Sequence, residues 1–242
     1  MSSQFKTVTI AGGTGTLGYH IVEAFLNDGS YNVKVLRRKP KTENEKAKLL
    51  ASKGAEIIYA DYNQKDELVE VLKGTDVVIS VLSYKNTNLY ESQVPLLVAA
   101  KEASVKRFIP SEFVHPTPDN KIKFEEELIN SGLEYTIIFN GLFQEYLSFI
   151  GFDAKNKKAT FYADGNKKLH TTSLSDVGKY TVETLKMPEA RNAVIKVAGA
   201  TLSLNEYLQK FEEVSGEHYS TCTSFFSNAT LFKNVGLIII HL

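Results

Sequence analysis

Residues 7–18 read TVTIAGGTGTLG and decide the fold of this chain. A β-branched run from Thr7 to Ala11 leads into four glycines, and apolar residues then recur at helical spacing from Leu17 to Leu26. This order of strand, tight turn and helix opens a βαβ unit in which amides at the helix N-terminus can bind a pyrophosphate. The stretch therefore predicts a dinucleotide-binding turn at the head of an α/β domain.

The glycines of this turn fit two frames. One uses Gly13, Gly15 and Gly18, the other uses Gly12, Gly15 and Gly18, and the spacing does not choose between them. The turn residues that we predict to bind the cofactor are Gly12, Gly13, Thr14, Gly15, Thr16, Leu17 and Gly18.

The rest of the chain repeats the alternation of strand and helix. Strand-like runs, several of them continuously apolar, lie at Thr7–Ala11, Asn32–Leu36, Glu56–Tyr59, Val77–Ser80, Arg107–Pro110 and Tyr135–Phe139. Strands covered by helices on both faces have this character. We predict a doubly wound parallel sheet of the Rossmann type in residues 1–150, completed by later segments, and a smaller α+β substrate-side region in residues 151–242.

The residues after the second predicted strand indicate the type of dinucleotide. An NAD site usually has an acidic residue about 20 positions beyond the glycines, whereas this chain has Arg37, Arg38 and Lys39. Arginine binds a 2′-phosphate through paired N–H donors. We therefore predict NADPH (NADP), with Arg37 as the first choice and Asp61, after the third strand, beside the adenine.

Composition excludes several classes of protein. The 28 basic residues balance the 28 acidic ones, so no strong charge favours nucleic acid or a membrane surface. The only cysteine, Cys222, excludes an intrachain disulfide or a multi-thiolate metal site. The N-terminus resembles no signal peptide, and the apolar run from Val235 to Ile240 is too short to span a bilayer. We expect a cytoplasmic protein whose partner is a small molecule.

Open α/β sheets bind ligands at the carboxyl ends of their strands. The residues after the fourth strand (Ser80, Val81, Leu82) and after the fifth (Ser111, Glu112, Phe113) are therefore predicted to border the crevice. His115 and His170 are further candidates, because imidazole titrates near neutral pH.

Four segments together resemble the NmrA-like and isoflavone reductase-like family of atypical short-chain dehydrogenases. They are GGTGTLG near the N-terminus, VLRR after the second strand, VKRFIPSEF at the fifth and SGLEYTIIFNGLF at the sixth. The resemblance extends from Thr7 to about Gly216. It implies an NADPH-binding Rossmann domain with a smaller substrate region, in proteins that reduce small molecules or sense the NADP(H) redox state.

The resemblance also implies roles for individual residues. Lys121 matches the family lysine that holds the nicotinamide ribose and assists proton transfer, so it is the predicted catalytic residue, with Lys123 as the runner-up. Asn140, Gly141 and Phe143 match the segment that passes beside the nicotinamide.

The chain departs from related proteins in two respects. No tyrosine is followed by lysine at the Tyr-x-x-x-Lys spacing of ordinary short-chain dehydrogenases, which fits the atypical branch. The tail from about Glu217 does not resemble the family, which suggests a truncated or altered C-terminal region. We predict an NADPH-dependent reductase of a small unsaturated or carbonyl substrate. The alternatives are a non-catalytic NADP(H)-sensing regulator that binds protein partners and, with less support, a sugar-nucleotide epimerase.

Overall fold

The structure is a computed structural model that describes residues 5–39, 42–82, 89–113, 119–162 and 164–224. The strands among these residues are β1 Thr7–Ala11, β2 Asn32–Arg37, β3 Glu56–Tyr59, β4 Val77–Ser80, β5 Arg107–Ile109, β6 Glu134–Phe139, β7 Leu142–Phe143, β8 Phe152–Asp153, β9 Lys158–Tyr162, β10 Lys168–Thr172, β11 Ala193–Lys196, β12 Ala200–Ser203 and β13 Ser220–Ser224. The α-helices are α1 Thr16–Asp28, α2 Glu45–Ser52, α3 Lys65–Leu72, α4 Leu89–Glu102, α5 Asp119–Asn130, α6 Leu174–Thr184 and α7 Leu204–Ser215. Two 3₁₀ helices span Gln144–Ile150 and Pro188–Ala190.

The largest sheet has the strand order β11-β6-β5-β4-β1-β2-β3. Strands β1 to β6 pair in parallel. Strands β2 and β3 lie on one side of β1, and the chain then crosses over so that β4 pairs with the other side of β1. This is the strand order of a Rossmann fold, whose ligands bind at that crossover. The predicted fold class is confirmed.

Helices cover both faces of this sheet. Val35 of β2 lies on the same side as Val22 of α1, since both side chains approach Gly13. The next residue, Leu36, belongs to a buried cluster with residues of α3, α4 and α5, among them Leu68. Because consecutive strand residues face opposite sides, β2 is packed on both. Double coverage accounts for the continuous apolar run of β4, all of which is buried.

The chain divides into two compact units. The described residues of the first are 5–113, 119–139 and 174–195, and those of the second are 140–162, 164–173 and 196–224. The division at Phe139 differs from the predicted boundary at residue 150. Helix α6 and most of β11 return to the first unit, where α6 packs on α1 so closely that a Cβ on Gly178 would lie 2.6 Å from the carbonyl oxygen of His20.

The second unit contains two three-stranded sheets, β12-β10-β7 and β13-β9-β8. An aromatic cluster forms its core, in which the rings of Phe152 and Phe161 lie 5.5 Å apart and Phe152 also contacts Tyr207. The described part of the predicted tail contains β13, which pairs in parallel with β9. Residues 225–242, including the run from Val235 to Ile240, lie outside the described residues.

Candidate active site

The glycine turn is built by contact of backbone on backbone. Gly12 has a φ of +84°, and a Cβ there would lie 2.6 Å from the carbonyl oxygen of Val81. A Cβ on Gly18 would lie 2.2 Å from the carbonyl oxygen of Gly12, which also accepts a hydrogen bond from the amide of Gly15. Neither position has room for a side chain. Both glycines are therefore required for α1 to begin this close to β1 and β4.

The other two glycines have different surroundings. A Cβ on Gly13 would meet the side chains of Val22 at 2.8 Å and Val35 at 2.9 Å, so this glycine lets α1 pack against β2. A Cβ on Gly15 would meet only the carbonyl oxygen of Gly12, at 3.1 Å, and Gly15 is exposed. Both frames of the sequence motif thus contain glycines that the packing requires.

The N-terminus of α1 has no side-chain cap. Its N-cap residue is Gly15, and the first turn contains no acidic residue. In the described part of the chain, the amides of Thr16, Leu17 and Gly18 donate to no protein acceptor. Thr16 is exposed, while Thr14 and Leu17 are half-buried. Unpaired N–H groups at the positive end of a helix dipole can bind an anion such as a pyrophosphate.

The carboxyl ends of β1, β4 and β5 meet beside this turn. The amide of Val81 donates to the carbonyl oxygen of Ala11 at 2.8 Å, and the hydroxyl of Ser111 donates to that of Leu82 at 2.8 Å. Ser80 is buried, and its hydroxyl has no partner among the described residues. The predicted residues of these three strand ends thus lie together, and their contact with a cofactor stays a prediction.

Gln93 of α4 also supports this site, although the sequence analysis missed it. Its side chain is fully buried, and Oε1 accepts a hydrogen bond from the amide of Ser111 at 2.8 Å. The missed signal was a polar residue on the core-facing side of a helix, at helical spacing from Leu96, Leu97 and Ala100. Gln93 holds the end of β5 in place.

Lys121 of α5 is buried against Glu112, which lies three residues after the end of β5. Its Nζ donates to the backbone carbonyl oxygen of Glu112 at 2.9 Å and lies 3.2 Å from Oε2 of the same residue. Burial lowers the pKa of Lys121, and the Glu112 carboxylate opposes this effect. Burial raises the pKa of the Glu112 carboxyl to about 7, although Lys121 lowers it. A buried pair with pKa values shifted toward each other is a common feature of catalytic sites.

The two candidate lysines of α5 point in different directions. Two residues along a helix correspond to a rotation of about 200°. Lys123 is exposed, and its Nζ lies 4.2 Å from the centre of the Tyr90 ring. The geometry therefore favours Lys121 over Lys123, and its catalytic role stays a prediction.

The basic residues after β2 differ in their contacts. The guanidinium of Arg38 lies 5.9 Å from the centre of the Tyr62 ring, and Nζ of Lys39 lies 3.7 Å from Oε2 of Glu67. Arg37 is half-buried and, within the described ranges, forms no ion pair. Arg38 also forms no ion pair there, so of the three predicted residues only Lys39 has a carboxylate partner among the described residues.

Asp61 takes part in its own turn. Its Oδ1 accepts hydrogen bonds from the amide of Asn63 at 2.9 Å and from Nδ2 of Asn63 at 3.1 Å. This is the usual local role of an aspartate that follows a strand. Its predicted contact with adenine stays a prediction.

Asn140 and Phe143 belong to the second unit. Asn140 is buried, and its carbonyl oxygen accepts a hydrogen bond from the hydroxyl of Thr172 at 2.7 Å. Between them, Gly141 has a φ of +68°, and a Cβ there would lie 2.3 Å from the carbonyl oxygen of His170. Phe143 packs against Tyr146, with ring centres 5.6 Å apart. Their predicted place beside the nicotinamide still rests on the resemblance.

The remaining candidates have less to support them. Nδ1 of His170 lies 2.9 Å from Oγ1 of Thr201, which is a structural contact within one sheet. His115 lies outside the described residues.

The described ranges contain no group of three or more His, Cys, Asp and Glu side chains that could hold a metal ion. None of the helices in those ranges combines the length and hydropathy that a membrane span requires.

Comparisons with known proteins agree with this geometry. Pinoresinol reductase 2 from Arabidopsis thaliana is 34% identical over 215 residues, which cover 78% of this chain and 68% of the relative. A solved structure, AtPrR2 with NADP+ and (+)-pinoresinol, superposes with a TM-score of 0.81 at 30% identity, covering 92% of this chain and 80% of that one.

A second solved structure is the binary complex of leucoanthocyanidin reductase with NADPH from Vitis vinifera. It superposes with a TM-score of 0.82 at 26% identity, covering 96% of this chain and 82% of that one. The model of the NmrA-like family matches residues 4–236, nearly the whole chain. The chain therefore belongs to the NmrA-like family, among relatives named as reductases of the isoflavone reductase type.

Proposed function

We propose that this chain is an NADPH-dependent reductase that acts on a small unsaturated or carbonyl substrate. The observation that carries the proposal is the N-terminus of α1, where amides without an acceptor among the described residues follow a turn in which Gly12 and Gly18 leave no room for a side chain. The first unit would bind the dinucleotide and the second would form the substrate side. The relatives named as reductases support catalysis. They do not favour the alternative of a redox-sensing regulator.

The fit of the cofactor can be judged from the residues present. The amides of Thr16, Leu17 and Gly18 would hold the pyrophosphate, and the exposed Gly15 leaves space for it. The guanidinium of Arg37, which is half-buried and forms no ion pair among the described residues, would hold the 2′-phosphate, which distinguishes NADPH from NADH. When bound, the nicotinamide supplies the hydride.

Lys121 would supply the proton. Reduction of a carbonyl or a conjugated double bond adds one hydride and one proton. In a benzylic ether the C–O bond breaks, the carbon gains the hydride and the oxygen gains the proton. An ammonium whose pKa burial lowers is a suitable acid for this proton at neutral pH. The ion pair with Glu112 keeps Nζ at the carboxyl end of β5 and out of bulk water. Lys121 would thus orient the substrate and carry the proton at Nζ.

The relatives suggest a class of substrate. Pinoresinol, lariciresinol and phenylcoumaran benzylic ethers occur in the names of the relatives, and all are aromatic compounds. We propose a phenolic substrate of this kind and take (+)-pinoresinol as the first to be tested.

A cytoplasmic location is part of the proposal and is supported by the exposed free thiol of Cys222, which suits a reducing compartment.

The first experiment is a titration with NADPH and with NADH, followed by nicotinamide fluorescence, for the wild type and Arg37→Glu. We expect the variant to lose about 10- to 100-fold in NADPH affinity with little change for NADH, since only NADPH carries the 2′-phosphate. Lys34→Glu is the matched control, because it makes a similar charge change in the same strand, three residues before Arg37. Equal losses for both dinucleotides in Arg37→Glu would refute the assignment of Arg37.

The second experiment measures NADPH oxidation with (+)-pinoresinol and a panel of phenolic ethers and enones. Lys121→Met should lower kcat by roughly 10²- to 10⁴-fold, the usual contribution of proton transfer, while NADPH affinity changes by less than about tenfold. Lys123→Met, on the exposed side of α5, is the control and should remain active. Tight NADPH binding without oxidation by any substrate would argue against a reductase.

A further inference from the structure

The ammonium of Lys121 is held by two oxygens of a single residue. Nζ donates to the backbone carbonyl oxygen of Glu112 at 2.9 Å and forms an ion pair with Oε2 of that residue at 3.2 Å. Only 5% of Lys121 and 1% of Glu112 is exposed. Water therefore has little access to the charge of this lysine, which depends mainly on its protein neighbours.

The carboxylate of Glu112 is available for a role beyond packing. Among the described residues, the contact of this carboxylate with a charged group is the ion pair of Oε2 with Lys121, and neither oxygen accepts a well-oriented hydrogen bond. A buried carboxylate with unfilled acceptor sites is costly to keep. The end of β5 has a separate support in Gln93, whose Oε1 accepts a hydrogen bond from the amide of Ser111.

One other charged group acts on the lysine from the described residues. Glu125 lies one turn further along α5, is half-buried, and exerts a longer-range electrostatic effect on Lys121 without forming an ion pair. Burial raises the pKa of Glu125, and Lys121 lowers it. Lys121 thus has one carboxyl in contact, from the loop after β5, and a second nearby on its own helix.

We propose that Glu112 is the positioning residue of Lys121: its backbone carbonyl fixes where Nζ lies, and its carboxylate determines how firmly Nζ holds its proton. This inference rests on the proposed function, in which Lys121 is the proton donor. While Glu112 is ionised, Lys121 retains its proton. Once Glu112 is neutral, burial acts unopposed and the lysine becomes a stronger acid.

The protonation state of Glu112 therefore makes the acid strength of Lys121 depend on pH. Because its carboxyl has a pKa of about 7, the pair changes its net charge close to neutral pH. As the pH rises through this value, Glu112 ionises and Lys121 becomes a weaker acid. Lys121 should thus be the best proton donor on the acidic side of this transition.

The test is a pH titration of the Lys121 side chain in the full chain, with the ¹³Cε signal of labelled lysine as readout. Lys121→Met identifies the signal by its loss. In Glu112→Gln the midpoint of Lys121 should fall by about one to three pH units, because the opposing charge is removed. Glu112→Asp retains the charge but shortens the side chain, so the midpoint should fall less. Glu126→Gln, an exposed position on α5, is the control and should leave it unchanged.

The possible results are distinct. Equal midpoints in the wild type, Glu112→Gln and Glu112→Asp would overturn the inference, as would a larger fall in Glu125→Gln. If Glu112→Gln fails to fold, as judged by its amide spectrum, the midpoint of Glu112→Asp decides. The titration needs neither cofactor nor substrate. A Lys121 midpoint that depends on Glu112 in a protein that binds no NADPH would therefore refute the proposed function and leave the pairing intact.

Discussion

Two helices of this protein begin in opposite ways. At the N-terminus of α7, the amide of Glu206 donates to the Ser203 hydroxyl at 3.1 Å, and the Ser203 amide donates to the Glu206 carboxylate at 2.6 Å. The amide of Asn205 donates to the carbonyl oxygen of Gly165 at 3.1 Å. At α1, Gly15 occupies the N-cap and provides no side chain. The amides of the second and third helical residues thus have acceptors in α7, whereas those of α1 have none among the described residues.

The difference supports the proposal that the start of α7 is structural and the start of α1 is functional. A glycine at the N-cap forgoes only a few tenths of a kcal/mol relative to serine or aspartate. Gly15 has an extended backbone, with φ −70° and ψ 178°, which a capping residue could also adopt. The backbone therefore does not demand glycine at this position. We propose that glycine at this position keeps space for an anion on these amides.

The largest effect is expected where the turn itself is disturbed. In Gly18→Ala the new Cβ would lie 2.2 Å from the carbonyl oxygen of Gly12, so α1 must shift. We expect a loss of roughly 2–3 kcal/mol in the free energy of unfolding, and at least about a 100-fold loss of NADPH affinity because the amides move. Chemical denaturation and NADPH titration measure the two effects.

Gly199→Ala is the matched control for this change. The nearest heavy atom to its Cβ would lie 3.5 Å away, so the methyl group fits. Its effect on stability should stay within about 0.5 kcal/mol. A Gly18→Ala protein as stable as this control would show that the close contact of the turn is not required.

The next effect comes from giving α1 the kind of cap that α7 has. In Gly15→Asp the carboxylate can accept hydrogen bonds from the amides of Leu17 and Gly18 and complement the helix dipole, adding about 0.5 kcal/mol to the stability of the free protein. The same carboxylate would repel a pyrophosphate, so we expect roughly a 100-fold loss of NADPH affinity. Denaturation without cofactor and NADPH titration should therefore change in opposite directions.

Gly15→Ala separates charge from size. It adds a Cβ 3.1 Å from the carbonyl oxygen of Gly12 but no acceptor for the amides. It should therefore lower stability slightly and weaken NADPH binding less than aspartate does. Wild-type affinity in Gly15→Asp would place the pyrophosphate away from this helix.

The sequence was sufficient to predict the part of the fold that depends on local pattern. The β-branched run before Gly12 and the buried run of β4 identified a parallel sheet, because strands covered on both faces must be continuously apolar. The boundary between the two units was harder to predict from the sequence. Helix α6 returns to pack on α1 through Gly178, and a contact between residues so distant in the chain leaves no local signal.

The candidate site shows the same limit. Position after a strand was enough to select Ser111, and the resemblance selected Lys121. The pairing of Lys121 with Glu112 could not be inferred, since it depends on how α5 lies against the end of β5. Gln93 was missed because a single buried glutamine belongs to no motif. Three-dimensional packing, rather than spacing, determines these partners.

A smaller effect is expected from removing the cap of α7. In Ser203→Ala the amide of Glu206 loses its acceptor, which should lower the free energy of unfolding by about 1 kcal/mol. NADPH affinity should not change, because this cap belongs to the structure of the second unit. Ser175→Ala, at an exposed position in the first turn of α6, controls for the loss of a hydroxyl group. A loss of NADPH affinity in Ser203→Ala would break the contrast between the two helix starts.

The smallest effect is the pH dependence of the α7 cap. The hydrogen bond from the Ser203 amide lowers the pKa of the Glu206 carboxyl, and Lys168 adds to this effect. A carboxyl with a lowered pKa in the folded state stabilises the protein above its unfolded pKa, and this contribution is lost as the pH falls through the folded value. The Ser203 amide signal in a ¹H–¹⁵N spectrum should therefore shift between neutral pH and about pH 3, where carboxylates gain protons.

Glu206→Gln should abolish this shift, since its side chain does not titrate. The amides of Thr16 and Gly18 should show no comparable titration in either protein, because the first turn of α1 contains no acidic residue. If they did shift with acid, a carboxyl would have to be close to them, and the start of α1 would be less open to an anion than its hydrogen bonds indicate. In the wild type, adding NADPH should move the amide signals of Thr16 and Gly18 and leave that of Ser203 in place. This result would assign the ligand to the uncapped helix.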